Sequence, residues 1–280
     1  MLAWFGEDRS CKLDLKIARR SVGRILKNRS VPCHKIVAKS DNIQLRDRRG
    51  VNYMGFRRRS AKIELEGADH WDDVGRLQFD FLLREGLTPD HYLLDIGCGS
   101  FRGGRFFIDY LANGHYYGVD RDSKHIEAGV EAVLKPAKLT NKNPTIRVVE
   151  ATSEPKNFAS LLNRHEFDFV WIHAVFDHIP PESIHRLLDD LSKVLACDGR
   201  LYATIFLNPH GSEFREPLVH PRNGSLKGAV VTFPDKEYWH HTLSFFEQIA
   251  TQIPGLTFDA CLYNYPHPLG LRMLRFLKTS

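Results

Sequence analysis

Two stretches of this chain hold residue types that do chemistry, at spacings that let them act together. The first is His91–Gly104, HYLLDIGCGSFRGG. His91-Tyr92-Leu93-Leu94 is a short, mostly apolar run of the kind that forms a buried strand. Asp95 follows where that run should stop, and then come Gly97, Gly99, Gly103 and Gly104. Glycines at a strand end permit positive φ and let a ligand approach the backbone closely. Phe106-Phe107-Ile108 and Tyr110-Leu111 resume at helical spacing, so the stretch reads strand, glycine turn, helix. Tyr116-Tyr117-Gly118-Val119 is a second strand ending in Asp120, and an acidic residue about 20 positions beyond such glycines can hydrogen-bond ribose hydroxyls. Asp95 is a poor neighbour for a pyrophosphate but a good acceptor for ammonium or hydroxyl groups. The ligand implied is a nucleoside with a charged, non-phosphate tail.

The second stretch is Phe167–Ile179, FDFVWIHAVFDHI. Phe169-Val170-Trp171-Ile172 predicts a central strand that delivers His173 at its carboxyl end, the crevice side of an open α/β sheet. Asp177-His178 follows closely. Three titratable groups at a strand mouth mark a candidate site. A histidine that titrates near neutrality can take the proton of a substrate hydroxyl; the alternative is that both histidines are structural.

S-adenosylmethionine (SAM) fits the implied ligand better than NAD does. LDIGCGSFRGG together with the later Gly118-Val119-Asp120 resembles motif I and the following acidic position of class I SAM-dependent methyltransferases. The resemblance spans roughly residues 65–278. One position departs from the pattern: where many members carry a third glycine this chain has Phe101, which predicts a loop that is longer or differently bent. The resemblance implies an α/β fold, a seven-stranded, mostly parallel, doubly wound Rossmann-like sheet whose last strand is inserted antiparallel. It implies cofactor contacts at Asp95, Gly97, Cys98, Gly99, Ser100, Gly103, Asp120 and Arg121. The loop after the third strand, Glu150-Ala151-Thr152, would pass the adenine, with Thr152 as the contact. Val175-Phe176-Asp177-His178-Ile179 is similar to the family's fourth-strand ending, which places His173 against cofactor or substrate and His178 as the base.

The elements that must position these residues follow in order. Gly67–Leu87 predicts a helix with Trp71 and Gln78 on it, stopped by Gly86 and Pro89. Ser123–Leu134 predicts a helix and Thr145–Val149 the third strand. Pro181 and Glu182 open a helix, Asp198-Gly199 is a turn, and Arg200–Leu207 is the fifth strand. Residues 208–234 are polar and rich in Pro, Gly and His; a long irregular stretch on the crevice side reads as a substrate cap. It offers His210, Glu213, Arg215, His220 and Arg222 to a polar acceptor. A helix at Leu243–Ile253 and strands at Leu256–Leu262 and Leu271–Leu277 complete the sheet.

Charge divides the chain. Residues 1–60 carry 16 Lys and Arg against 5 Asp and Glu, a net of +11 within a chain of net +5, so residues 61–280 are net −6. We therefore divide it into a basic extension, 1–60, and a methyltransferase-like domain, 61–280. Residues 11–28 predict a basic amphipathic helix, which either packs on the domain or lies on a membrane surface or an acidic partner. Nucleic-acid binding is not expected, because aromatic interleaving around the arginine run at Arg57-Arg58-Arg59 is thin. Five scattered cysteines without a CxxC pair argue against a disulfide framework or a structural zinc, and no metal is expected. No apolar run reaches the roughly 18 residues of a membrane helix, and Met1–Phe5 is too short for a signal-peptide core, so a cytoplasmic location is expected. There is no [DN]PP[YFW] tetrapeptide and no Pro-Cys nucleophile in the matching place. The expected acceptor is thus a hydroxyl or carboxyl of a small molecule or saccharide. A non-catalytic SAM-fold module and, because Asp95 argues against it, more remotely a nicotinamide-dependent oxidoreductase are the alternatives.

Overall fold

The computed structural model describes residues 71–149, 157–221, 229–262 and 265–279. The extension 1–60 with its expected helix, and Glu150, Thr152 and Arg222, lie outside them. In chain order the elements are α1 (Trp71–Arg84), β1 (Leu93–Ile96), α2 (Gly104–Tyr110), β2 (Tyr116–Asp120), α3 (Ser123–Gly129) and β3 (Thr145–Val148). Then come α4 (Phe158–Leu162), β4 (Phe167–Ile172), α5 (Pro181–Ser192) and β5 (Leu195–Leu207). The chain ends with β6 (Leu218–Pro221), β7 (Ala229–Thr232), β8 (His240–His241), α6 (Leu243–Gln252), β9 (Leu256–Leu262) and β10 (Arg272–Lys278).

The main sheet runs β3-β2-β1-β4-β5-β10-β9, and the two-residue β8 pairs with the end of β5. The first five strands are parallel, and β10 is inserted antiparallel between β5 and β9. This is the expected seven-stranded sheet with one short addition. Its strands bury both faces, which is why they read as continuous apolar runs rather than alternating ones. Leu94, Val170 and Ile172 join the core that α5 and α6 cover, with Ile184, Leu188 and Phe246. Leu93, Phe169 and Trp171 join the opposite core, with Phe81 and Leu82 of α1 and Phe107 of α2. Side chains of a strand alternate in direction, so neighbouring residues serve different layers.

Three local expectations change. Asp95 is at the carboxyl end of β1, as expected, but β1 runs one residue beyond it and its side chain is buried. The helix from Ser123 is α-helical only to Gly129 and continues as a wider π turn through Leu134. The Asp198-Gly199 turn is absorbed into β5: Phe167 faces Leu195 and Phe169 faces Arg200, so the intervening residues loop out, with Asp198 at φ 62°. The expected irregular cap also contains regular structure, the antiparallel hairpin β6–β7. No helix among the described residues is long and apolar enough to cross a membrane.

The site belongs to one end of this sheet. The parallel strands β1, β2, β4 and β5 all end there. Because Arg272 at the start of β10 faces Ile205 near the end of β5, the β9–β10 connection reaches the same end.

Candidate active site

The loop after β1 is built from backbone that side chains rarely allow. Gly97 has φ 74° and Gly99 φ 51°. A Cβ at Gly97 would collide with Val175 of the loop after β4, whereas one at Gly99 would meet nothing nearer than Asp120 Oδ2 at 4.0 Å. Gly97 therefore allows two loops to touch, and Gly99 leaves open space beside a carboxylate. Phe101 stands in the third-glycine place and itself takes φ 64°. Its side chain is fully buried, and that burial, worth about 1.5–3 kcal/mol for a large apolar side chain, offsets the roughly 1–2 kcal/mol that the left-handed conformation costs. The bend that a glycine would supply is kept, by an anchored phenylalanine.

The two acidic residues of this region sit in different surroundings. Asp120 is half-exposed; its Oδ2 accepts from the Gly99 amide at 2.8 Å and its Oδ1 from the Asp122 amide at 2.9 Å. It thus fixes the glycine loop while keeping further lone pairs on both oxygens. Asp95 is buried and accepts from the Tyr116 hydroxyl at 2.7 Å. Burial pushes its pKa up to about 7, against the lowering effect of the Tyr116 hydrogen bond, and the Asp120 charge adds to the rise. Cys98 and Ser100 are buried in the loop and Arg121 is exposed. Gly103 caps α2 and lies against Gln78, whose Oε1 accepts from the Trp171 indole at 3.1 Å. Trp71, the other α1 candidate, packs instead under the Arg105 guanidinium, 4.7 Å from its ring centre.

The loop after β4 leaves the sheet through Ala174 at φ 53°, whose amide donates to Thr204 Oγ1 at 2.8 Å. Beyond it His178 Nδ1 lies 2.6 Å from Glu237 Oε1, and Nε2 faces Asp177 Oδ2 at 3.4 Å. Glu237 belongs to the segment after β7, which is docked here by the Trp239 amide donating to the Asp177 carbonyl at 2.9 Å. Tyr238 sets its ring edge-on to His178 at 5.0 Å. Asp177 is buried, and burial raises its pKa although His178 pulls the other way. A tautomer with the proton on Nδ1 would donate to Glu237 and leave Nε2, beside Asp177, to accept one.

His173 does not join His178. Its ring lies nearly parallel to Trp171 at 5.8 Å and meets His267 at 5.1 Å and Tyr265 at 6.0 Å, both from the β9–β10 connection. Burial, and then the positive charge it would share with His267 and Arg102, lower its pKa well below the usual histidine range.

Residues 94–201 match the family model described as a methyltransferase domain. Over this stretch the chain is similar to methyltransferase domains. Solved structures share the fold of this domain at low sequence identity. Magnesium protoporphyrin IX methyltransferase from Synechocystis PCC 6803, with bound S-adenosylhomocysteine (SAH), is 14% identical, with 78% of this chain and 90% of that one covered and a TM-score of 0.51. The 1,6-didemethyltoxoflavin-N1-methyltransferase of Burkholderia thailandensis, with its substrate and SAH bound, is 15% identical over 77% and 83%, TM-score 0.51. A SAM-dependent methyltransferase from Clostridium acetobutylicum is 11% identical over 77% and 98%, TM-score 0.51. The Synechocystis and Burkholderia structures both hold SAH. The open backbone at Gly99 and the spare acceptor sites on Asp120 suit a nucleoside there.

Of the residues singled out by sequence, the structure brings Asp95, Gly97, Cys98, Gly99, Ser100 and Asp120 into one loop cluster, places Arg121 at its exposed margin and sets Gly103 below it. It separates His178 from His173. Sequence reading missed Glu237, Arg102, Tyr116, Tyr265 and His267. For Tyr116 a signal existed, a polar ring one strand from Asp95 and in phase with it; for Glu237, 59 residues from His178, there was none.

Proposed function

We propose that this methyltransferase domain modifies a hydroxyl or carboxyl group of a small-molecule or sugar acceptor, with His178 as general base. The observation that carries this reading is the 2.6 Å pair between His178 Nδ1 and Glu237 at the mouth of β4. A base held by a carboxylate suits an acceptor that must lose a proton, as a hydroxyl must. SAM supplies an electrophilic methyl group on a sulfonium. In this reading Asp120 receives the ribose hydroxyls, the Gly97–Gly99 backbone and Ser100 follow the tail, and Asp95 receives the ammonium, which restores its charge. His178 takes the acceptor proton at Nε2, and Glu237 stabilises the imidazolium that results. Positioning of the acceptor supplies most of the remaining rate. The basic residues 11–28 are a contact for an anionic membrane surface or an acidic partner in the same proposal.

Calorimetric titration with SAM, SAH and NADH tests the cofactor part. SAM and SAH should bind and NADH should not. Binding of NADH alone would replace this reading by an oxidoreductase, and binding of none by a non-catalytic module. Deleting residues 1–60 should weaken binding to anionic vesicles; an unchanged affinity would make the basic charge a solvated surface only.

A further inference from the structure

Arg102 follows Phe101 in the glycine loop and is half-buried. Arg105 pairs with Asp72, and Arg275 with Glu85 and Asp259, whereas the Arg102 guanidinium has no carboxylate partner among the described residues. A guanidinium keeps its charge in any protein setting. A cation withdrawn from water without an anion is unfavourable, and no carboxylate among the described residues offsets that cost for this arginine. Its electrostatic neighbours are Tyr265, His173 and His267.

Two of those neighbours carry enclosed polar atoms without a partner among the described residues. Tyr265 is buried, and neither its hydroxyl nor Nε2 of His173 has a hydrogen-bond partner among the described residues. His267 Nδ1 accepts from the Leu269 amide at 3.2 Å, which places its proton on Nε2. The Tyr265 and His267 rings lie nearly parallel at 5.8 Å, and Trp171 closes the group at 6.5 Å from Tyr265. The charges that act on these rings come from Arg102, Arg84 and one another, with no carboxylate among them. Burial holds His267 at about 3, so its ring is neutral at physiological pH. One fixed cation, an unpartnered phenol hydroxyl, neutral imidazoles and aromatic walls make an environment for a planar anion.

We propose that Arg102, Tyr265, His267 and His173 form a site for a carboxylate on the methyl acceptor. This rests on the methyltransferase reading above. Carboxylate chemistry could also come from the cofactor's own amino-acid tail. Three of the four residues come from the β4 exit and the β9–β10 connection, on the opposite side of β1 from Asp120, and that favours the acceptor.

The test uses the full chain saturated with SAH and titrated calorimetrically with 4-hydroxybenzoate and 4-hydroxybenzamide, which differ in the charged group. The benzoate should bind at least about tenfold tighter, the scale of a charge-assisted, bidentate pair. Arg102→Gln should erase that preference and leave SAH affinity within about twofold, and Arg102→Lys should restore part of it. Tyr265→Phe, which removes one oxygen and keeps the packing, should weaken the benzoate about fivefold. Equal binding of the two probes, or binding of neither, overturns the site. Arg102→Gln that weakens SAH and abolishes its advantage over decarboxylated SAH assigns the arginine to the cofactor and also overturns it. A chain that binds no SAH fails before any probe is added, which is failure of the methyltransferase reading itself.

Discussion

The two ends of the crevice are finished to different degrees. Around β1 and β2 the polar groups satisfy one another: Asp120 takes two loop amides and Asp95 takes the Tyr116 hydroxyl. Around the exit of β4 and the β9–β10 connection, the Tyr265 hydroxyl and Nε2 of His173 are enclosed without partners among the described residues, and among the same residues Arg102 is a cation without a carboxylate. Buried polar groups are nearly always hydrogen-bonded in folded proteins, and the exceptions call for a cause. A cofactor common to a whole family can be met by a loop that is complete before it arrives. An acceptor particular to one member must be met by groups left over for it, and the second end is where such groups remain.

This contrast can be broken most directly at Asp120. Asp120→Ala removes the acceptor for Gly99 and Asp122 and, on the proposed reading, two charge-assisted hydrogen bonds to ribose. At about 1.5–3 kcal/mol for each such bond, SAH affinity should fall about 10³-fold by calorimetry. A loss under tenfold would put the nucleoside elsewhere. The next effect belongs to the other end. His178→Gln should lower kcat/KM about 100-fold, at the lower range for general-base catalysis, with SAH affinity within about twofold. If the variant instead loses SAH and keeps its kcat, His178 is a cofactor residue and the division between the ends fails.

What the sequence revealed follows the same line. The sheet was legible because strands buried on both faces leave apolar runs such as Phe169–Ile172, and because Pro181 at the first turn marks the start of α5. The glycine loop was legible because its residues are neighbours in the chain. Asp95 stands at the carboxyl end of β1, one residue inside its last position, and what its type did not announce is its burial, which the Tyr116 hydroxyl on the next strand explains. Phe101 reads as a departure because nothing in its type announces a left-handed φ, which burial of the ring enforces. The other end was illegible for a topological reason. Glu237 reaches His178 through the docking of Trp239 on Asp177, and Tyr265 and His267 arrive only because β10 runs antiparallel beside β5.

The smallest predicted effect is an opposite response to acid at the two ends. Asp95 titrates at about 7 in the folded chain and near 3.9 when unfolded. The folded state therefore holds this proton between those values, and the contribution to stability grows as pH falls. His267 goes the other way: at about 3 when folded and about 6.5 unfolded, its contribution is complete above 6.5 and is lost as pH falls. Between pH 7 and pH 5 Asp95 should add about 2 kcal/mol and His267 should remove about 2 kcal/mol. His173, His220 and His241, which burial also holds below their usual range, lose stability in the same direction as His267, so the whole chain should weaken on acidification. Thermal melts at pH 7 and pH 5 separate the contributions. Asp95→Asn should deepen the acid loss in Tm by about 5 °C and His267→Gln should reduce it by a similar amount, at about 2–4 °C per kcal/mol for a domain of this size. Variants whose Tm shifts run parallel to the parent chain would mean that neither group is held in the protonation state its burial imposes. Asp95 would then be an ordinary carboxylate facing water, and the closed character assigned to the β1–β2 end would be lost with it.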